Sequence, residues 1–352
     1  MNMDKTKDYN YSIAFMRAFF SFCVICAHFY IAARPEFYPS ALLIRMSGIA
    51  APIFFMISLF LTSKKYTDKD SIKIGKRLWR LYLPQVVWAV IYYLGYKVVF
   101  YGFGFAGIHV DHLFRYGWED LLWQLGFGSD RALCPQFWYQ FDLIVITILC
   151  YLVYRLSGKY GITVMTVIGI LAIIMQYSGL NYFLFCRFEY ELWYPLGRFA
   201  EVMPFAVIAL NLGSSGVLNR NGKLKLILIA ICIAVMAAVT FTSFIPDPKD
   251  GFSYGGINKL LYGVCAFVVL YLMPFDKLPD VGKKVLKFLA KYSFGVFCIH
   301  MGIGYCTDFI LCPLNKWKNG TLIECILVYL VSLLLSWLIS LIPGKFSKQI
   351  VT

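Results

Sequence analysis

The sequence predicts an all-α, polytopic integral membrane protein with about ten transmembrane helices and both termini in the cytoplasm. Composition supports the membrane assignment, because 60% of the 352 residues are hydrophobic, only 15% are charged and the mean hydropathy is +0.68. An average soluble domain carries about 25% charged residues, so this chain has too little polar surface to cover a globule in water. The apolar residues also come in blocks near the roughly 20 residues that cross the hydrocarbon core of a bilayer.

Ten apolar blocks are candidates for membrane spans. The predicted spans are residues 13–33, 42–62, 81–103, 137–154, 162–180, 194–212, 226–244, 260–273, 292–311 and 322–342. The eighth span is the shortest, and Ile257 or Phe275 are the residues that would extend it. No internal repeat and no attached soluble segment is evident, so we expect a single domain over residues 1–352.

The distribution of positive charge predicts the orientation. The net charge is +14, and 21 of the 33 Lys and Arg residues fall on the side of the two termini, against 11 on the other side and Arg17 within the first span. Cytoplasmic loops carry such an excess, which places both termini in the cytoplasm. Because the cations lie in short loops and not on one basic arm or helix face, we expect no nucleic-acid partner.

The first span contains two ionisable residues, Arg17 and His28. Ionisable residues inside membrane spans are costly and mark functional sites by default. Eleven residues separate these two by roughly 16 Å along a helix and return to nearly the same face, so both can line one channel. His28 then suits a general base near the outer end, and Arg17 a cation that meets an anionic donor from inside. The alternative, equally open from spacing alone, is that both side chains reach for the membrane interfaces.

A basic stretch precedes the third span and includes Lys76, Arg77 and Arg80. Cations at this spacing on the cytoplasmic margin could hold the phosphates of a coenzyme. The alternative is ordinary anchoring of the loop by positive charge.

Taken together, the motifs resemble those of the membrane acyltransferase family 3, the bacterial surface-polysaccharide O-acetyltransferases, over nearly the whole chain. The matching segments, in order, are Arg17-x10-His28, Phe54-Phe55-x-x-Ser58-Leu59-Phe60-Leu61, Lys76-Arg77-x-x-Arg80-x-Tyr82-x-Pro84, Phe137-Trp138-Tyr139, Gly197-Arg198-Phe199-x-Glu201-x-x-Pro204-Phe205 and Ser293 through His300. Each is a loose pattern alone, whereas six in order at plausible depths are specific.

The resemblance implies an enzyme of the bacterial cytoplasmic membrane that transfers an acyl group, an acetyl group in the commonest case, from cytoplasmic acyl-coenzyme A (acyl-CoA). The acceptor would be a hydroxyl of an extracytoplasmic carbohydrate or lipid-linked glycan. His28 would be the catalytic base or a transient acyl carrier. Arg17, Ser58, Arg77 and Arg80 would bind the acetyl-CoA donor. Membrane lipid is the remaining partner.

One residue departs from the family pattern, since Leu59 stands where the family usually has Gly. If that Gly lets the pantetheine arm of the donor approach the backbone, Leu59 would narrow the passage.

Several other residues are candidates for supporting roles. Asp142 and Glu324 could orient His28 as catalytic partners, since a carboxylate fixes the imidazole tautomer. Glu201 could bind a sugar hydroxyl or pair with Arg198 on the same helix face. A carbohydrate could stack on the outer aromatic residues, Trp138 among them, which are otherwise interface anchors.

Two histidine motifs favour a plain structural interpretation. His300 lies toward the cytoplasmic half of the ninth predicted span and is most simply a packed, hydrogen-bonded residue. The His109-Val-Asp111-His112 segment has no third ligand at helical or hairpin spacing, so we expect no metal site.

Two other classes of protein remain open from the sequence. A transporter or flippase for a surface-polymer precursor would also have ten helices and charged residues within the membrane. Transporters often show inverted repeats and broken helices at the midplane, whereas Arg17 and His28 lie toward opposite ends of one helix. A non-catalytic sensor or scaffold is the third possibility, and Leu59 is the residue that favours it.

Overall fold

The computed structural model describes residues 9–29, 43, 45–67, 73–105, 117–128, 134–178, 180, 194–219, 222–244, 256–311 and 322–352, and these residues form an all-helical fold. The twelve α-helices in this part of the chain are α1 Tyr11–Phe29, α2 Ala50–Thr67, α3 Ile74–Phe105, α4 Trp118–Phe127, α5 Trp138–Ser157, α6 Gly161–Tyr177, α7 Tyr194–Ser215, α8 Lys223–Val239, α9 Ile257–Leu272, α10 Asp280–Leu311, α11 Leu322–Leu341 and α12 Lys345–Gln349.

Within the residues that the structure describes, five segments are long and apolar enough to cross a membrane, judged by length and composition: Tyr11–Phe29, Pro135–Gln176, Lys223–Thr242, Ile257–Lys277 and Leu322–Leu341. The second of these spans 42 residues and includes both α5 and α6, which a 3₁₀ turn over Gly158–Tyr160 joins. Gly158 adopts a left-handed φ of 55°, and α5 and α6 pack against each other, so the chain reverses direction there. The chain is therefore a plausible polytopic membrane protein, while ten spans and cytoplasmic termini stay predictions.

The helices begin and end close to the predicted blocks, with informative exceptions. The short eighth block forms α9, which begins at Ile257, one of the two extensions anticipated. Both α3 and α10 contain 32 residues, about 48 Å at 1.5 Å per residue, which exceeds the roughly 30 Å hydrocarbon core. Their first turns carry the lysines and arginines that hydropathy excluded from the predicted spans, so each helix continues past the apolar layer.

Helix α1 lies at the centre of the bundle, where it contacts α2, α9, α10 and α11. It runs parallel to α10: Ala14 and Ala18 pack with Leu286 and Ala290 toward the start of both helices. Toward their other ends, Phe29 lies directly over Gly304, where any side chain would occupy the same space. The two helices therefore hold their side chains in a close, fixed register.

The last residues of the chain fold back into the bundle. After α12, Ile350 and Val351 are buried, and their backbone carbonyls accept hydrogen bonds from Trp88 Nε1 on α3 at 2.9 Å and from the backbone N–H of Gly295 on α10 at 3.1 Å. This segment thus sits between α3 and α10, beside the cavity described next.

Candidate active site

A cavity of about 770 Å³ lies among α1, α2, α3, α5, α10 and the C-terminal segment. The structure brings all four residues predicted to bind the donor, Arg17, Ser58, Arg77 and Arg80, to its wall. They come from three different helices, so their meeting is a result of tertiary packing. The predicted catalytic and acceptor-binding residues lie elsewhere.

The wall of the cavity is strongly positive. Seven of its lining residues are Lys or Arg, and none of the described lining residues is Asp or Glu. The seven are Arg17, Lys65, Lys73, Lys76, Arg77, Arg80 and Lys348. Charges of one sign in a concave, low-dielectric site focus the electrostatic field, so this cavity favours a ligand with several negative charges.

Two hydroxyl groups contact the guanidinium of Arg77 at the cavity wall. Its Nη2 donates to Ser58 Oγ at 3.0 Å, and its Nε lies 3.5 Å from Thr147 Oγ1. Hydroxyl groups on α2 and α5 therefore hold the guanidinium in place at the cavity wall. A guanidinium fixed in this way offers its remaining N–H groups to a planar anionic group such as a phosphate.

Three aromatic side chains form part of the cavity wall. They are Tyr139, Phe294 and Phe297, with Tyr139 and Phe297 at 5.6 Å between ring centroids. The ring of Phe297 also contacts His300 at 6.2 Å, and His28 is not part of the lining. The cavity thus includes Arg17 but not His28, and Phe297 both lines the cavity and contacts the His300 ring that lies beside His28.

His28 is half-buried and lies beside His300. Their ring centroids are 5.3 Å apart, with an angle of 41° between the planes. The predicted position of His300, toward the cytoplasmic half of its helix, is therefore wrong, because His300 lies level with His28 near the far end of α1. The cause is the length of α10, which begins at Asp280, twelve residues before the predicted span.

Asp142 and Trp138 contact an arginine. Arg198 Nε on α7 donates to Asp142 Oδ2 at 3.2 Å, its Nη2 donates to the carbonyl of Phe127 at 3.3 Å, and its guanidinium carbon lies 5.3 Å from the Trp138 ring centroid. Glu201, one turn further along α7, lies near Lys259 and Arg198. Arg198 thus donates to Asp142 and also lies near Glu201, so the pairing of Glu201 with Arg198 stays a prediction.

Glu324, the other predicted partner of His28, begins α11 and is 5% exposed. Its Oε1 accepts a hydrogen bond from Thr307 on α10 at 3.5 Å. The next residue, Cys325, contacts Cys26 on α1, which places Glu324 near the level of His28.

Leu59 does not narrow the cavity. Its side chain is fully buried in the hydrophobic core, whereas the preceding Ser58 lines the cavity. Successive helical residues point about 100° apart, so a residue next to a cavity-lining position faces elsewhere. An effect of Leu59 on the path of the pantetheine arm beyond the cavity stays a prediction.

The sequence interpretation missed three cations. Arg45 is 3% exposed within the predicted second span, with Nη1 at 3.5 Å from Thr240 Oγ1 in a π-helical turn, Thr240–Phe244. Lys259 is 3% exposed at the start of α9. An ionisable residue inside a predicted span was the available signal for Arg45, and one directly before a predicted span was the signal for Lys259. Lys348 reaches the cavity from the C-terminal segment, and no sequence pattern marks it.

The predicted absence of a metal site concerns His109, Asp111 and His112, which lie outside the described residues. Within the described ranges, no group of three or more His, Cys, Asp or Glu residues could hold a metal ion.

Comparison with known proteins bears on the whole chain. A family model described as an acyltransferase domain, that of the acyltransferase 3 family, matches residues 10–341. Searches of curated proteins and of solved structures find no match. The matched range covers every cavity-lining residue named above except Lys348, together with His28 and His300. The chain belongs to the acyltransferase 3 family.

Proposed function

We propose that this protein is a membrane O-acyltransferase that moves an acetyl group from cytoplasmic acetyl-CoA to a hydroxyl of an extracytoplasmic cell-surface glycan or its precursor. The observation that carries the proposal is the cavity with seven cations and no described acidic side chain in its wall. Coenzyme A carries three phosphate groups at its nucleotide end, and a site of this charge suits such a ligand.

The donor would bind with its phosphates against Arg77, Arg80 and the neighbouring lysines. Its pantetheine arm would extend past Arg17 toward His28, a distance of roughly 16 Å along α1 that this arm can span. Tyr139 and Phe297 would then turn aside to admit the arm, since both line the cavity and Phe297 contacts His300 beside His28. In the free protein these side chains would keep water from His28. When the donor binds, they would move and admit the acyl group.

His28 would supply the base, or carry the acyl group briefly. As the base, its unprotonated nitrogen takes the proton of the acceptor hydroxyl while the oxygen bonds to the acyl carbon. The carbon–sulfur bond then breaks, and the thiolate leaves with its electron pair toward the cytoplasm. We place the protein in the bacterial cytoplasmic membrane, with ten spans and both termini in the cytoplasm, so that donor and acceptor approach from opposite sides.

Donor binding is tested with purified protein in nanodiscs and acetyl-CoA as the probe. A charge-assisted hydrogen bond contributes about 1.5–3 kcal/mol, so Arg77→Ala/Arg80→Ala should raise the dissociation constant at least about tenfold, and Arg17→Ala should also weaken binding. Arg155→Ala is the control, because Arg155 is exposed on the predicted cytoplasmic side and does not line the cavity. Absence of saturable binding by folded wild-type protein, with other acyl-CoA species tested as well, would favour transport or a non-catalytic role.

Transfer is tested in membrane vesicles from expressing cells, which contain the native acceptors. Inverted vesicles supplied with radiolabelled acetyl-CoA should incorporate alkali-labile acetyl groups, whereas sealed right-side-out vesicles should not, since their donor side faces inward. His28→Ala should keep donor binding and lose transfer. Near wild-type transfer by this variant would remove His28 from the mechanism.

A further inference from the structure

The contact between His28 and His300 is set by two helices packed along their length. Alanines and Gly304 allow α1 and α10 to approach closely on both sides of the pair. His300 is fully buried, so solvent does not compete for its ring nitrogens. The pair therefore joins a half-buried ring on α1 to a fully buried ring on α10 at a close contact between the two helices.

The hydrogen bonds of His300 define its tautomer. Its Nδ1 lies 2.8 Å from the backbone carbonyl oxygen of Phe297 and 3.1 Å from that of Val296. Carbonyl oxygens only accept hydrogen bonds, so Nδ1 must carry the proton. Its Nε2 consequently presents a lone pair, and within the described part of the chain this buried atom has no hydrogen-bond partner.

An unpartnered acceptor at this depth requires an explanation. Leaving a buried polar group unsatisfied is costly, and such groups in native structures often mark a functional role. The neighbouring imidazole of His28 can supply the missing donor. An N–H···N hydrogen bond of about 2.9 Å between two imidazoles places their centres roughly 5 Å apart, close to the 5.3 Å seen here. A modest rotation of the His28 ring would complete the bond, and catalytic hydrogen bonds often tighten only when substrate is bound.

We propose that His300 is the positioning partner of His28, accepting the His28 N–H at Nε2 and so turning the lone pair of the other His28 nitrogen toward the reacting groups. This inference rests on the proposed function. His300 gains no proton in the reaction. It holds one His28 proton in place while the other nitrogen takes a proton from the acceptor hydroxyl, the orienting role that a carboxylate fills in other base-dependent acyl transfers.

The inference replaces the carboxylate partners that the sequence favoured. Asp142 is engaged with Arg198, and Glu324 with Thr307. His300 is the polar side chain whose ring the structure places against that of His28. A neutral partner also avoids placing a further charge in the interior of the membrane, where charged groups are expensive.

A pair of substitutions separates orientation from packing. His300→Gln can offer a carbonyl oxygen near the position of Nε2, whereas His300→Asn is too short to do so and can keep only the bond near Nδ1. In the vesicle assay we expect the Asn variant to lose on the order of 10²-fold in kcat for acetyl transfer, with the acetyl-CoA dissociation constant unchanged. The Gln variant should recover most of that loss. A folded Asn variant that transfers at the wild-type rate would overturn the proposal.

The wild-type protein offers a second measurement that does not depend on the variants folding. The chain has only four histidines, so ¹⁵N-histidine labelling gives few signals. We expect one histidine with its proton on Nδ1, and a ¹⁵N–¹⁵N correlation through a hydrogen bond to a second histidine when acetyl-CoA is bound. Two uncorrelated imidazoles at this pair would overturn the inference. If wild-type protein transfers no acetyl group, the proposed function fails. If His28→Ala transfers normally, His28 is not the base and the pair has no catalytic role, whereas an inactive His28→Ala beside a fully active His300→Asn removes only the role of His300.

Discussion

Perturbing the buried ion pair between Asp142 and Arg198 tests whether Asp142 has a structural or a catalytic role. The Asp142 and Arg198 side chains are 0% and 7% exposed, and their atoms Oδ2 and Nε are 3.2 Å apart. Asp142→Asn keeps the side-chain shape but removes the charge, so the Arg198 guanidinium loses this carboxylate while remaining buried. Breaking a buried pair by removing one partner costs about 3–5 kcal/mol, and we expect the free energy of unfolding to fall by that amount.

The assay is denaturant unfolding in detergent micelles, followed by tryptophan fluorescence. Asp142→Asn/Arg198→Gln should be less destabilised than the sum of the two single variants, because neither buried charge is left without its opposite. Asp276→Asn is the matched control, since Asp276 is exposed, and it should change the unfolding free energy by less than about 0.5 kcal/mol.

Activity provides the result that would refute this assignment. On the structural interpretation, Asp142→Asn protein that remains folded should still transfer acetyl groups in the vesicle assay. Wild-type stability combined with abolished transfer would instead place Asp142 in the chemistry, the role that the sequence alone predicted for it.

Three further predictions concern the cavity and its surroundings. Lys348→Ala should raise the acetyl-CoA dissociation constant about three- to tenfold, as expected for loss of one exposed cation, while Lys345→Ala, outside the lining, should leave it unchanged. Leu59→Ala should lower the unfolding free energy by about 2–5 kcal/mol through loss of core packing. Donor binding should stay intact, and tighter donor binding would show that Leu59 does obstruct the site. Phe297→Ala should connect the cavity to His28 and allow transfer of longer acyl groups, measured with butyryl- and hexanoyl-CoA, and unchanged selectivity would mean that the ring does not close the path.

The helices were largely predictable because apolar runs of membrane length have few other structures open to them. The ends of the helices were less predictable, since hydropathy detects only the apolar part of a helix and misses polar turns that continue beyond it. Residues 280–291 carry four lysines, were assigned to a loop, and instead form the first three turns of α10. That error displaced His300 from its true depth and hid its proximity to His28.

The candidate site was predictable only where residues on one helix share a face. Arg17 and His28 follow from the 3.6-residue period. The meeting of Arg17 with Ser58 and Arg77 depends on how three helices pack, and the resemblance, not any spacing, pointed to it. The pairing of Asp142 with Arg198 and the return of Lys348 to the cavity involve residues far apart in the chain, and no local pattern encodes them.

The separation between the cationic wall of the cavity and His28 has a consequence for turnover. All seven cations line the cavity, whereas His28 does not line it. If they bind the nucleotide of coenzyme A as proposed, they hold acetyl-CoA and the spent carrier almost equally, since the acetyl group makes no contact with them. Free coenzyme A would then compete at concentrations similar to those of the donor. The rate of surface acylation would follow the cytoplasmic ratio of acetylated to free carrier, which makes the cell envelope responsive to the metabolic state of the interior.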